Sequence, residues 1–222
     1  MDPPVRASAV LPFGDMRSRL QTLVRRLHLG LAPHGFERAR GCLAIGGSDE
    51  VAWVLDLDVA PWSRDDRVCV TLSWSIHVPG MAGVFGDPTP PVVGRLGARD
   101  GLDPEWVELH RRPSLLAALE DGRAASRLLE GFRAEVLPTL EGLATPADVQ
   151  RHLHDALVPG RGRPTEEELT AIRRIAALSV VIGDRDNAVR WLDHLEARSA
   201  AAMAPDLVHE RVDDLRRQAL AS

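Results

Sequence analysis

Residues 51–78 read VAWVLDLDVAPWSRDDRVCVTLSWSIHV, and the period of this stretch decides the fold class. In its first half Val51, Trp53, Leu55, Leu57 and Val59 alternate with Ala52, Val54, Asp56, Asp58 and Ala60. In its second half Val68, Val70, Leu72, Trp74, Ile76 and Val78 alternate with Cys69, Thr71, Ser73, Ser75 and His77. A period of two sends neighbouring side chains to opposite faces of a strand. The pattern therefore predicts two antiparallel strands joined through residues 61–66, with one apolar and one polar face. Trp53 and Trp74 fall on the apolar face and are expected in the core. Just upstream, Cys42–Ile45 reads as a short strand. Gly46-Gly47-Ser48-Asp49 follows it as a turn of residues that tolerate positive φ, which adds a hairpin to the meander.

On either side of these strands the period changes to that of a helix. Met16, Leu20, Leu23, Val24, Leu27 and Leu31 recur at helical spacing behind Asp15, a suitable N-cap, and Gly30 and Pro33 end the run. This helix most simply covers the apolar face of the sheet. Downstream, Ala125, Leu128, Leu129, Phe132, Val136 and Leu140 form a stripe that Pro138 should kink. Thr145-Pro146 opens another helix. Thr165-Glu166-Glu167-Glu168 is a capping box for a helix ending near Gly183. A further helix carries Ala188, Trp191, Leu192 and Leu195, and a last one carries Val208, Val212, Leu215 and Ala219. The reading is α+β: an antiparallel β-meander packed against helices, with a C-terminal helical extension. Its divisions are a Pro-rich loose arm over 1–14, an α+β domain over 15–158, a linker over 159–164 (PGRGRP from Pro159) and a three-helix extension over 165–222.

The chain has 222 residues, enough to bury a core without a disulfide or metal. Its net charge is −5, and its Arg-Arg pairs sit in amphipathic segments where adjacent residues do not share a face, which argues against a nucleic-acid footprint. All 27 basic residues are arginine, and tyrosine is absent, a bias that fits a GC-rich genome. Schiff-base lysine, phosphate-loop lysine and tyrosine acid chemistry are thereby excluded. Cys42 and Cys69 are expected as free thiols in strands. No signal-peptide pattern and no apolar run of membrane length is present, so a cytoplasmic protein with no membrane partner is expected.

Three segments, taken in order, carry a resemblance: HGFERARG from His34, VVGRLGARDGLDPEWVEL from Val92, and GFRAEVLPTLEGLATPADVQRHL from Gly131. Together they resemble the bacterial domain-of-unknown-function 4304 family over roughly residues 15–157. In that family a helix and "GF" lead into a sheet, an "R-(I/L)-G" element precedes one or two tryptophans, and a helix ends in "LP". The family often carries a Gln-Ser pair where this chain reads DVAPWS over Asp58–Ser63. The resemblance implies a fold and no reaction, and residues 165–222 lie outside it.

The side chains capable of chemistry are few. Asp56 and Asp58 share a strand face, with His77 on a neighbouring strand, and such a trio suits a divalent cation or acid–base work. That is the basis for one reading, a metal-assisted hydrolase. His152 and His154 are too far apart around a helix to share a metal. Ser48 sits in a turn, and Gly160-Arg161-Gly162 lacks the setting of a dinucleotide loop. With no triad, metal motif or phosphate loop, the sequence points away from an enzyme and from any cofactor. The leading expectation is a non-catalytic protein-interaction or regulatory protein, of the immunity type among others, with an unidentified protein partner. Its binding surface is expected at Trp62, Met81, Phe85 and Arg95. Residues 79–103, rich in Gly and Pro, form the long connection. Leu96, with Val93, should dock on the body and Arg95 should pair with a carboxylate, while Met81–Pro90 stays mobile and partly exposed.

Overall fold

The computed structural model describes residues 14–64, 67–81, 84, 90–98, 104–110, 114–157, 164–201, 212–213 and 215–217. Helix α1 spans Gly14–Leu31. The strands are β1 (Ala44–Gly47), β2 (Ala52–Val59), β3 (Arg67–His77), β4 (Val92–Arg95) and β5 (Val107–His110). Helix α2 follows over Ser114–Gly131. It passes through a π-helical turn at Phe132–Val136 into α3 (Leu137–Glu141). Helices α4 (Pro146–Ala156), α5 (Glu166–Val181) and α6 (Arg185–Ala201) complete the described elements, apart from helical residues near Val212 and Leu215.

The strands form one mixed-in-order but antiparallel sheet, β1-β2-β3-β4, with β5 also pairing β3. Cys69 faces Glu108 and Val70 faces Val107 in the β3–β5 ladder. The expected α+β class is therefore the observed one, including a C-terminal helix. At the β1–β2 turn, Gly47 has φ +97°, and a Cβ there would meet the Val51 carbonyl oxygen at 2.2 Å. Ser48 Oγ accepts the Val51 N–H at 3.2 Å. Ser48 thus holds a turn.

The chain divides into two compact units. The first comprises Met1–Ala44, Asp56–Ser73 and Arg95–Glu135, and the second Ile45–Leu55, Trp74–Gly94 and Val136–Ser222. This division does not follow the linker expected at 159–164, most of which lies outside the described residues. Residues 165–201 do not stand alone: α5 packs on α4, and Gln150 Nε2 donates to Ser179 Oγ at 2.6 Å.

In the first unit α1 packs along α2, and α2 lies against β5. Helix α2 thus covers the β5 edge of the sheet. The helices approach closely at Gly30, where any Cβ would strike Leu129. They are also tied through charge. Arg19, 4% exposed, donates from Nε at 3.0 Å and from an Nη at 2.7 Å to Asp121 Oδ1, and again to Glu120 at 2.9 Å. Phe132, fully buried at the π turn, meets the edges of Phe36 and His34. The sequence suggested a kink here, and the structure has a π turn. Pro138 has no N–H for the helical ladder, and the backbone widens just before it.

In the second unit Ile172, Ala176, Leu192, Leu195, Val212 and Leu215 form a core on which Val84 is buried. The Thr165 half of the expected capping box forms, and Asp184 caps the next helix. Thr165 Oγ1 accepts the Glu168 N–H at 3.1 Å, and Asp184 accepts the Asn187 N–H at 3.3 Å. Arg198 pairs with buried Glu168 across α5 and α6 at 2.7 Å.

Two expectations about the sheet need correction. Trp53 and Trp74 are only half-buried. Trp74 lies on Gly94, where a Cβ would come within 2.3 Å of the indole. Nor is the second face of β3 polar and open. Val68 through Leu72 are buried without a break, Thr71 and Cys69 included. A central strand covered on both sides loses the alternation that a half-exposed sheet shows.

Candidate functional site

In the first unit, four short pieces of chain bring their side chains to one place. The end of β2 supplies Asp58 and Val59. After Ala60 the chain turns: Ser63 N donates to Ala60 O at 3.0 Å, and Ala60 N to Cys69 O at 2.9 Å. This turn carries Pro61 and Trp62 outward. The end of β4 supplies Arg95. Leu96 is buried, its N–H donating to Leu72 O at 2.9 Å, which fixes where Arg95 leaves the sheet. Gly97, at φ +74°, then reverses the chain. Glu105 N donates to Leu96 O at 2.8 Å. Pro104 and Trp106 are thereby set beside Arg95, just ahead of β5.

These residues line a cleft of about 480 Å³ formed by Asp58, Val59, Pro61, Trp62, Arg95, Pro104 and Trp106. That volume is within the range of small-molecule sites. Trp62 and Trp106 meet edge to face, with ring centroids 5.1 Å apart and planes at 69°. Trp62 is 54% exposed and Val59 50%, both large apolar side chains left open to solvent on the same cleft. The polar part is an ion pair: Arg95 Nε donates to Asp58 Oδ2 at 2.8 Å. Ser73 Oγ donates to the other oxygen, Asp58 Oδ1, at 3.1 Å. The carboxylate expected for Arg95 is therefore Asp58.

Each member of the trio proposed for a metal has a hydrogen-bond partner of its own. Asp56 accepts the Leu43 N–H at 3.2 Å, Asp58 is engaged by Ser73 and Arg95, and His77 bonds Ser75 Oγ at 3.0 Å. Among the described residues no three His, Cys, Asp or Glu side chains are grouped to hold a metal ion. Burial holds the His77 imidazolium below the usual histidine range, as expected for a ring kept neutral. Cys42 is pushed up by burial and by the Asp56 charge, so its thiol is a poor nucleophile.

Of the expected binding surface, Trp62 and Arg95 come together. Met81 belongs to the second unit, where it is partly buried against the helical core beside buried Val84. Phe85, and most of the stretch to Pro90, lie outside the described residues. Val93 is 64% exposed and does not dock. In the sequence Trp106 was legible only as the tryptophan that follows the Arg95-Leu96-Gly97 element. Its contact with Trp62 depends on the Gly97 reversal, whose signal was the Arg95-Leu96-Gly97 triplet.

Among the described residues no helix is long and apolar enough to cross a membrane. Compared with family models, with characterised proteins and with solved structures, the chain matches none.

Proposed function

We propose that this chain is a non-catalytic protein-interaction or regulatory protein, and that it holds a polypeptide partner at the Trp62–Trp106 cleft. One observation carries the reading: Trp62 and Val59, each at least half exposed, flank an ion pair in a preformed concavity. Exposed tryptophan and arginine are the residue types that concentrate binding energy at protein contacts, and an apolar centre rimmed by polar groups is their usual setting. The reading is supported by Asp58, whose two oxygens each already accept a hydrogen bond. The likeness of residues 15–157 to the domain-of-unknown-function 4304 family belongs to the same proposal and brings no reaction with it. So does a cytoplasmic location, with which the free thiols of Cys42 and Cys69 agree.

The test is affinity capture from the native host with the wild-type chain and a Trp62→Ala/Trp106→Ala variant, followed by titration of the captured partner into each. The partner should shift the tryptophan fluorescence of the wild type and bind the variant at least tenfold more weakly, at equal melting temperature. Equal binding by both forms would remove the cleft as the contact.

A further inference from the structure

The chemistry of the cleft's occupant follows from which polar atoms are already used. Both oxygens of Asp58 have donors, Ser73 Oγ on one and Arg95 Nε on the other. Asp58 therefore offers a basic partner little, and its effect is to hold the guanidinium by one side. Arg95 is the opposite case. Its Nε is committed, but among the described residues its terminal nitrogens make no hydrogen bond, and its side chain is 54% exposed. A guanidinium fixed at Nε presents its two terminal nitrogens as a fork that matches a carboxylate. Beside that fork stand two indoles and two prolines, Trp62, Trp106, Pro61 and Pro104, a lining of flat apolar faces. Flat aromatic grooves take up proline-rich extended segments well, because such segments lose little entropy on docking.

We infer, on the reading of this cleft as a protein contact, that it recognises an extended polypeptide segment in which an Asp or Glu lies next to a proline or an aromatic residue. The carboxylate bonds the free fork of Arg95, and the neighbouring ring stacks on Trp62 and Trp106. Arg95 is the specificity-determining residue and Asp58 its positioning residue. Since Asp58 and Arg95 neutralise each other at long range, recognition comes from the bidentate contact and depends only modestly on salt.

The experiment is selection from a randomised peptide display library on the immobilised full chain. It is followed by fluorescence titration of the best peptide and of its amide counterpart, in which Asp or Glu is replaced by Asn or Gln. Enriched peptides should carry an acid beside Pro, Phe, Tyr or Trp. The amide counterpart should bind about tenfold more weakly or worse, and Arg95→Gln should lose as much. Against Arg95→Gln the acid and amide peptides should bind alike, a coupling that a merely structural role would not produce. Melting curves of Arg95→Gln and Trp62→Ala, both at exposed positions, control for folding. Peptides that need Trp62 but carry no acid, or that tolerate the amide, overturn the carboxylate and leave the cleft as a contact. Failure to enrich any peptide that depends on Trp62 overturns both readings. Displacement of the peptide by millimolar acetate would identify a small carboxylate as the ligand and overturn the polypeptide assignment.

Discussion

Replacing Asp121 by Asn changes one charge and almost no volume, and the structure sets what that should cost. Arg19 is 4% exposed, and two of its hydrogen bonds, at 3.0 and 2.7 Å, end on Asp121 Oδ1. Burial pulls the Arg19 guanidinium down, and its bonds and charge contacts with Asp121 and Glu120 outweigh this, so it is raised. Removing one partner of such a pair leaves a desolvated charge, which typically costs about 3–5 kcal/mol. Here Glu120 remains as a second partner at 2.9 Å, and the Asn oxygen still accepts a hydrogen bond from the guanidinium. Both reduce the loss, to about 2–4 kcal/mol. The assay is urea denaturation, since guanidinium chloride would screen the pair under study, with the slope checked for constancy. Replacing both partners, as Arg19→Met with Asp121→Leu, should cost less than Asp121→Asn alone, because no buried charge is stranded. A loss below about 1 kcal/mol for Asp121→Asn, or a double variant worse than the single, would refute the idea that a desolvated pair clamps α1 to α2.

Trp191 is partly buried against the Ile172–Leu195 core, with the rings of His154 and His194 meeting it at 5.7 and 5.6 Å. Trp191→Ala should cost about 2–3 kcal/mol in the same assay, below the range for a fully enclosed aromatic, and a cost under about 1 kcal/mol would place the ring on the surface. The pH dependence has a definite sign. His28 is lowered by burial and by the Arg38 charge, and His77 by burial, so the unfolded chain binds more protons than the folded one just below the usual histidine value. Their contribution is complete above about pH 6.5 and is lost as pH falls through the depressed folded values. Urea midpoints should therefore fall between pH 7 and 5, less steeply in His77→Asn, and an unchanged slope in that variant would remove His77 from the account.

The long strands were legible because their alternation is strong, and the β1–β2 hairpin because Gly46-Gly47-Ser48-Asp49 has few other uses. The caps at Thr145 and Thr165 were legible because capping is a contact within one helical turn. What sequence could not carry was the identity of neighbours. Alternation in β3 marks Thr71 and Ser73 as one polar face, but whether that face meets water depends on what covers it. Thr71 is fully buried while Ser73 is half-buried. Strands β4 and β5 are four residues each, too short for periodicity to distinguish from loop. Val59 continues the apolar set of β2 in sequence, yet it is exposed at the end of the strand.

Asp58 shows why the candidate site was only half readable. Its spacing from Asp56 was visible and suggested a pair of metal ligands, since a strand sends both side chains to one face. Spacing says nothing about which donors reach those oxygens. A cation at Asp58 would have to displace both the Ser73 hydroxyl and the Arg95 guanidinium, each of which holds one carboxylate oxygen. Displacing the arginine would also leave a second positive charge beside the ion. The same carboxylate therefore favours the opposite ligand: it holds at Nε an arginine that lines a cleft with Trp62 and Trp106 and, among the described residues, leaves its terminal nitrogens open. An aspartate that spacing alone would assign to a metal is turned, by one arginine from a distant strand, into the support for an anion-recognising side chain.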